Sequence, residues 1–229
     1  LGSKMAAEER AKRDILEEQQ TSEMEKEEAL LNKKFELEKE LAQALMMDMA
    51  PQRKEPDLRS IGLFADVSEE RIAELIHAML YLNEVNKVNK TETPISFYLS
   101  TYGGSADDMF GMYDAMRMVR ESTEIHTFGL GKVMSAGVLL LAAGTKGKRR
   151  VGKNCRVMIH SVIGGNHGPL HNLINEMEAV EQIQKMYSSA LIAETNMTKK
   201  DLKNLLERKV NVYLSAEEAV ELGIADIIV

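Results

Sequence analysis

Between residues 94 and 143 the chain runs twice from an apolar strand-like segment, through a glycine-bearing turn, into apolar residues at helical spacing. Residues 94–100 alternate with period two, and Gly103-Gly104-Ser105 turns the chain. Met109, Met112, Ala115, Met116 and Val119 then share one helical face. A second strand at 123–129 leads to a second helix at 134–143. Strands joined by a helix-length crossover return parallel, whereas antiparallel neighbours need only a hairpin. The expectation is an α/β fold with largely parallel strands. Upstream, a short strand at 61–64 precedes a helix capped by Ser68, with Glu69, Glu70 and Arg71 in its first turn and Ile72, Leu75, Ile76, Met79 and Leu80 on one face. Downstream come short strands at 148–151 and 156–160, a long helix at 172–194, a helix opened by the capping-box-like Ser215-Ala216-Glu217-Glu218, and a terminal strand at 224–229.

The first fifth is different material. Residues 1–50 hold 13 acidic and 8 basic side chains, so they carry -5 of the chain's net -7. Glu, Lys, Ala, Leu, Gln and Met dominate, and nothing breaks the helical tendency between Gly2 and Pro51, where Pro51 and Pro56 punctuate the chain. The stretch reads as a long helix, polar over 4–28 and striped by Leu30, Leu37, Leu41, Leu45 and Met49 beyond. It is either a solvated or disordered arm or a docking helix for a partner or neighbouring subunit. Leu1-Gly2-Ser3 reads as a cloning remnant and is left out of fold reasoning. The organisation expected is an arm at 1–55 and a globular domain at 56–229, whose share of the chain's 44% hydrophobic residues suffices for a core.

Composition excludes several classes of function. With 29 Lys and Arg against 36 Asp and Glu and no polybasic run, a surface that tracks nucleic-acid phosphates is not expected. A lone Cys155 permits neither an internal disulfide nor a cysteine-rich metal site and suits a reducing, cytoplasmic compartment. No apolar run approaches the roughly 20 residues of a membrane span, and the charged N-terminal stretch lacks the apolar core of a signal peptide.

The residues able to carry chemistry are few. Ser135, in Gly131-Lys132-Val133-Met134-Ser135-Ala136-Gly137, opens an apolar helix after a strand. It is either a cap or a hydroxyl exposed where free N–H groups favour an oxyanion. Val133 takes the place of the first glycine of the nucleophile-elbow motif. His160 ends Val157-Met158-Ile159, so it projects from a strand terminus, as a functional group or as a structural histidine. Gly103-Gly104 offers backbone N–H groups with no side chain in the way, but lacks the Walker lysine and the full dinucleotide fingerprint. Gly164, Gly165 and Gly168 make a second flexible turn. Cys155, in Lys153-Asn154-Cys155-Arg156, is a passive small residue or a thiol of depressed pKa. His77, His126, His167 and His171 have no Cys or acidic neighbours at ligand spacing, so no metal site is expected.

Several of these segments together resemble one family. From about residue 60 to the end, the chain is similar to the Clp protease proteolytic subunit (ClpP): the Gly103-Gly104-Ser105 turn, Met112-Tyr113-Asp114, Ser135-Ala136-Gly137 with Leu140-Leu141-Ala142-Ala143-Gly144, Lys146-Gly147-Lys148-Arg149, Arg156-Val157-Met158-Ile159-His160, and Leu214-Ser215-Ala216-Glu217-Glu218-Ala219 with Leu222-Gly223. The resemblance implies a spiral α/β domain, the ββα superhelix shared with crotonase-type enzymes, with 172–194 as the long handle helix. It implies a serine endopeptidase with Ser135 as nucleophile and His160 as general base, an oxyanion hole at Gly104 and Ala136, and substrate peptide added as a strand along Gly164-Gly165. No cofactor is implied. The partners implied are unfolded polypeptides, a AAA+ unfoldase ring, and further copies forming two stacked heptameric rings, with neither nucleic acid nor membrane.

The chain departs from the family at named places. Asn211 stands where the family has its catalytic aspartate, ahead of Tyr213-Leu214-Ser215-Ala216, and is expected as the third catalytic residue, accepting the His160 N–H without supplying a charge; Glu207 and Asp201 are the nearby carboxylates. Tyr102 replaces a proline before the glycine pair. Ala136 replaces a methionine of which only the N–H is needed. Residues 1–55 do not resemble the family's short axial loop. Two other readings stand beside an active peptidase: a weakly active or inactive subunit modulating a mixed barrel, and a crotonase-type acyl-CoA enzyme holding an enolate with paired N–H groups.

Overall fold

The computed structural model describes residues 2–49, 58–165, 167–207 and 210–229. They fall into two compact units, Leu1–Asp57 and Leu58–Val229. The first contains a single helix, α1 (Gly2–Met49), on which Leu30, Leu37, Leu41 and Leu45 are exposed. The proline-marked stretch 51–56 lies outside the described residues.

In the second unit the order is β1 (Ser60–Leu63), α2 (Glu69–Asn89), β2 (Ile95–Thr101), α3 (Ala106–Arg120), β3 (Ile125–Met134), α4 (Ala136–Ala142), β4 (Arg150–Val151), β5 (Arg156–Ile159), α5 (Leu170–Glu194), α6 (Lys199–Leu206), β6 (Val212–Leu214), α7 (Ala216–Glu221) and β7 (Ile227–Ile228). The described strands form one sheet, with β6 antiparallel to β5 and every other pairing parallel. Ile95, Phe97 and Leu99 of β2 point into the core and are fully buried, as the period-two pattern requires. α4 is buried all round, which explains why it contains no polar residue.

The largest difference from the sequence reading is in β3. The expected strand at 123–129 instead runs ten residues to Met134, through Gly129-Leu130-Gly131. Those glycines, read as the end of a strand, let it bend: Gly131 has φ 67°, and a Cβ on Gly129 would crowd Leu141 and Val133 at 3.1 Å. The bend splits the sheet. Phe128 and Gly129 pair with β4, while Lys132, Val133 and Met134 pair with β5. Beyond the fork β4 continues to β7 and β5 to β6. The longer strand delays the next helix to Ala136, and the terminal strand shrinks to Ile227–Ile228 because Ile224 and Ala225 are buried in the turn before it.

One buried cation fastens this arrangement. Arg149, 4% exposed, donates Nε and Nη2 to the Asp226 carboxylate at 2.8 and 2.6 Å. Its Nη1 donates to the carbonyls of Ala142 and Glu194, at the C-terminal ends of α4 and α5, at 3.1 and 2.6 Å. Burial alone would raise the Asp226 carboxyl. Hydrogen bonds from the Arg149 side chain and the backbone N–H groups of Arg149 and Gly147 outweigh it and hold that carboxyl below its ordinary value. A carboxyl lowered by folding contributes stability above its unfolded value, about 4, and that contribution is lost as pH falls through the folded value. Arg149→Met is expected to cost about 3–5 kcal/mol by leaving Asp226 uncompensated. Urea titrations should show that loss near neutral pH and a smaller loss in acid, where Asp226 is protonated in both proteins.

α5 is long because little interrupts its helical spacing, yet only its C-terminal part is core: Tyr187, Ala190, Leu191 and Glu194 are buried. The stripe expected along it divides in two. Leu173, Val180 and Ile183 are half-buried, whereas Ile174, Met177 and Met186 are exposed.

Candidate active site

Beyond the fork β3 and β5 end side by side, and Ser135 and His160 follow those two ends. Ser135 follows the last residue of β3, and its N–H donates to the carbonyl of Met158 in β5 at 2.8 Å. His160 follows the last residue of β5. This is the carboxyl edge, where parallel α/β sheets present ligand-binding groups.

Ser135 makes the transition from β3 to α4 in a single residue, at φ 54° and ψ -121°. Among the described residues only Lys90 is another non-glycine with positive φ, and it is an ordinary helix C-cap. A serine held there is strained by about 1–3 kcal/mol, which the surroundings must supply. The sequence lacks the first glycine of the nucleophile elbow, yet the backbone makes the same kind of sharp strand-to-helix turn. The space comes from elsewhere. A Cβ on Gly103 would lie 2.6 Å from the Ser135 Cβ, and one on Gly137 would lie 2.6 Å from the Thr101 Cγ2.

Two backbone N–H groups face the same place. Ala136 opens α4, so its N–H has no intrahelical acceptor. Gly104 bridges in parallel to Val67: Val67 N–H donates to Gly103 O at 2.8 Å, and Ser105 N–H donates to Val67 O at 2.9 Å. In a parallel bridge the central residue's own N–H points away from its partner, so that of Gly104 faces away from Val67. Gly104 and Ala136 line one cavity of about 410 Å³ with Ser135 and His160; Tyr102, Met109, Ile163, Ile183 and Tyr187 complete much of its wall.

The Nδ1 of His160 is hydrogen-bonded to the carbonyl of Ser161. A carbonyl oxygen only accepts, so Nδ1 carries a proton, and in the neutral imidazole this is the tautomer that leaves Nε2 free to act as a general base. Asn211 does not line the cavity and is exposed. The antiparallel register pairs Met158 with Tyr213 and Ile159 with Val212. His160 and Asn211 each lie one residue beyond the end of this ladder, on the next step of its register. The carboxylates named beside it lie elsewhere: Asp201 closes the capping box of α6 with Thr198, and Glu207 is an exposed partner of Lys203 at 3.7 Å.

Gly164 and Gly165 are separate from this cavity. They line another of about 380 Å³ against Leu173, Met177 and Val180 of α5, and a Cβ on Gly164 would collide with Val180. The segment between is tied down by Val162, whose N–H donates to the Gln184 Oε1 at 2.6 Å. Cys155 is buried, and burial pushes its thiol up to about 11, so it is a packed, neutral side chain and not a thiolate. Among the described residues no three His, Cys, Asp or Glu side chains are grouped to hold a metal ion, and no helix is long and apolar enough to cross a membrane.

The chain belongs to the Clp protease family: the family model described as Clp protease matches residues 53–229. The mixed α/β sheet with its long helix α5 is the fold of that family. Curated relatives include "ATP-dependent Clp protease proteolytic subunit 1" of Prochlorococcus marinus subsp. pastoris, 31% identical over 170 residues, which is 74% of this chain and 83% of the relative. A protein of the same name from Prochlorococcus marinus strain MIT 9312 is likewise 31% identical over 170 residues, with the same shares covered.

Proposed function

We propose that the chain is a serine endopeptidase subunit that hydrolyses unfolded polypeptides inside a barrel of its own copies. The observation that carries this reading is the strained backbone of Ser135, in one cavity with His160, whose Nδ1 is held by a carbonyl, and with the N–H groups of Gly104 and Ala136. Ser135 Oγ attacks the peptide carbonyl and passes its proton to the His160 Nε2. The Gly104 and Ala136 N–H groups receive the oxyanion, and the imidazolium returns the proton to the leaving amine. Water, deprotonated by His160, then attacks the Ser135 ester, and the proton returns to Ser135 Oγ as the new carboxyl product leaves. No cofactor takes part.

Membership of the family and the exposed apolar side of α5, with Ile174, Met177 and Met186, support stacking of two rings through that helix. The relatives are named as ATP-dependent, which supports a AAA+ unfoldase as supplier of substrate. The same membership supports a cytoplasmic setting. The stretch before the peptidase domain, residues 1–55, is read as a charged arm that is no part of the catalytic site. A second reading, a weakly active subunit of a mixed barrel, is favoured by Asn211, which is uncharged and lies outside the cavity that holds Ser135 and His160.

A fluorophosphonate probe tests the proposal. Covalent capture is expected on wild-type Ser135, mapped by mass spectrometry, and lost in Ser135→Ala. Absence of labelling with Ser135 solvent-accessible would overturn the active-peptidase reading in favour of the inactive subunit or an enolate-holding acyl-CoA enzyme, neither of which needs an activated hydroxyl.

A further inference from the structure

The strained turn at Ser135 is held by α5, whose Tyr187 also forms part of the cavity wall. Tyr187 is 4% exposed, and its hydroxyl donates to the backbone carbonyl of Ser135 at 3.1 Å. The same carbonyl accepts the Val138 N–H at 3.0 Å, so both of its acceptor sites are occupied. In a planar trans peptide, the carbonyl of one residue and the N–H of the next project to opposite sides. Fixing the Ser135 carbonyl toward Tyr187 therefore aims the Ala136 N–H the other way. There it emerges beside Gly103, where a Cβ would lie 3.1 Å from the Ala136 nitrogen and glycine leaves the approach open.

We infer that Tyr187 is a positioning residue, whose hydroxyl locks the Ser135–Ala136 peptide plane so that the Ala136 N–H stays aimed at the oxyanion. The inference rests on the serine-peptidase reading above and adds to it a residue that touches no reacting atom. Three features support it. Ser135 sits at positive φ, so its peptide plane relaxes if nothing holds it. Burial drives the Tyr187 hydroxyl far above the ordinary tyrosine value, so it stays a protonated donor at every working pH. Gln184, one turn earlier on the same face of α5, accepts the N–H of Val162 just beyond His160. One face of α5 thus holds both walls of the site, the nucleophile turn through Tyr187 and the histidine strand through Gln184.

The test is Tyr187→Phe, which keeps the ring and removes one oxygen. Peptide kcat is expected to fall about fivefold, less than the hundredfold or more for losing an oxyanion donor outright. KM should stay within about twofold, the pattern of an interaction used only in the transition state. Affinity for a peptide boronate, whose tetrahedral oxygen occupies the oxyanion site, should fall by the same factor as kcat/KM. Amide exchange of the 136–138 segment should quicken, with the thermal midpoint falling by only the few degrees that one buried hydrogen bond is worth. Wild-type kcat, boronate affinity and exchange in the variant would overturn the inference, as would a loss carried by raised KM. If wild-type Ser135 takes no fluorophosphonate, the peptidase reading fails on its own. The exchange measurement then decides the hold of Tyr187 on the peptide plane: unchanged exchange refutes it, and faster exchange upholds it.

Discussion

Gly104→Ala is expected to lower peptide turnover about 100-fold or more, the scale of losing one oxyanion donor. A Cβ at this position, where φ is 150°, would press into the Val67 carbonyl oxygen and come within 2.9 Å of the Val67 nitrogen. Both contacts are backbone, so no side-chain rotation relieves them. The Val67–Gly104 bridge must open, with loss of the hydrogen bonds from Val67 to Gly103 and from Ser105 to Val67. The Gly104 N–H then swings away from the cavity. The thermal midpoint should fall as well, because about 1–3 kcal/mol of backbone strain is added. Gly147→Ala is the matched control: it too has positive φ, at 82°, but nothing lies within 4 Å of the added Cβ, and it is far from the cavity lining. Steady-state kinetics on a short fluorogenic peptide separates the two. Equal turnover in both variants would mean that the Gly104 N–H has no part in the reaction.

What the sequence shows of this site depends on whether the information is local. The helices α2, α3 and α7 announce themselves through capping and apolar spacing, and β2 through alternation, because each is decided by side chains within a few residues. The helix α6 was equally local, with its Thr198-Asp201 capping box, and the sequence reading passed over it. The fork at β3 is not local. Gly129 and Gly131 are legible only as breakers, and whether a breaker ends a strand or bends it depends on partners 20 and more residues away. The strain at Ser135 was illegible for the same reason: the room for it is made by Gly103, from another loop, and the hold on it by Tyr187, from another helix. A tyrosine at helical spacing beside Ile183 and Ala190 reads as core. Its polar function appears only once the Ser135 carbonyl is seen to end at its hydroxyl. The resemblance to the Clp family supplied Ser135, His160, Gly104 and Ala136 as a set because that match spans distant segments at once. The structure brings those four to one cavity and leaves Gly164, Gly165 and Asn211 outside it.

Asn211→Asp is expected to raise peptide turnover about tenfold or more, since about 1.4 kcal/mol of regained transition-state stabilisation corresponds to a factor of ten. The register of β5 and β6 makes the exchange informative, because continuing it one residue past Ile159 and Val212 leads to His160 and position 211. At present the His160 Nδ1–H is given to the Ser161 carbonyl, a neutral acceptor that fixes the tautomer but does little for the imidazolium formed as Ser135 loses its proton. A carboxylate that reaches the ring competes for that proton and favours the charged imidazole. The sign follows for pH: the base works in its neutral form, so an added negative charge moves the acid limb of the kcat/KM profile to higher pH while raising its plateau. Both changes should vanish in a Ser135→Ala background. Glu207 provides the contrary outcome. It is exposed and paired only with Lys203, yet it lines the cavity between α5 and α6 that also holds Ser161. If Asn211→Asp leaves turnover and pH profile untouched while Glu207→Gln is severely damaging, the supporting acid reaches His160 from the Ser161 side, and position 211 carries no catalytic role.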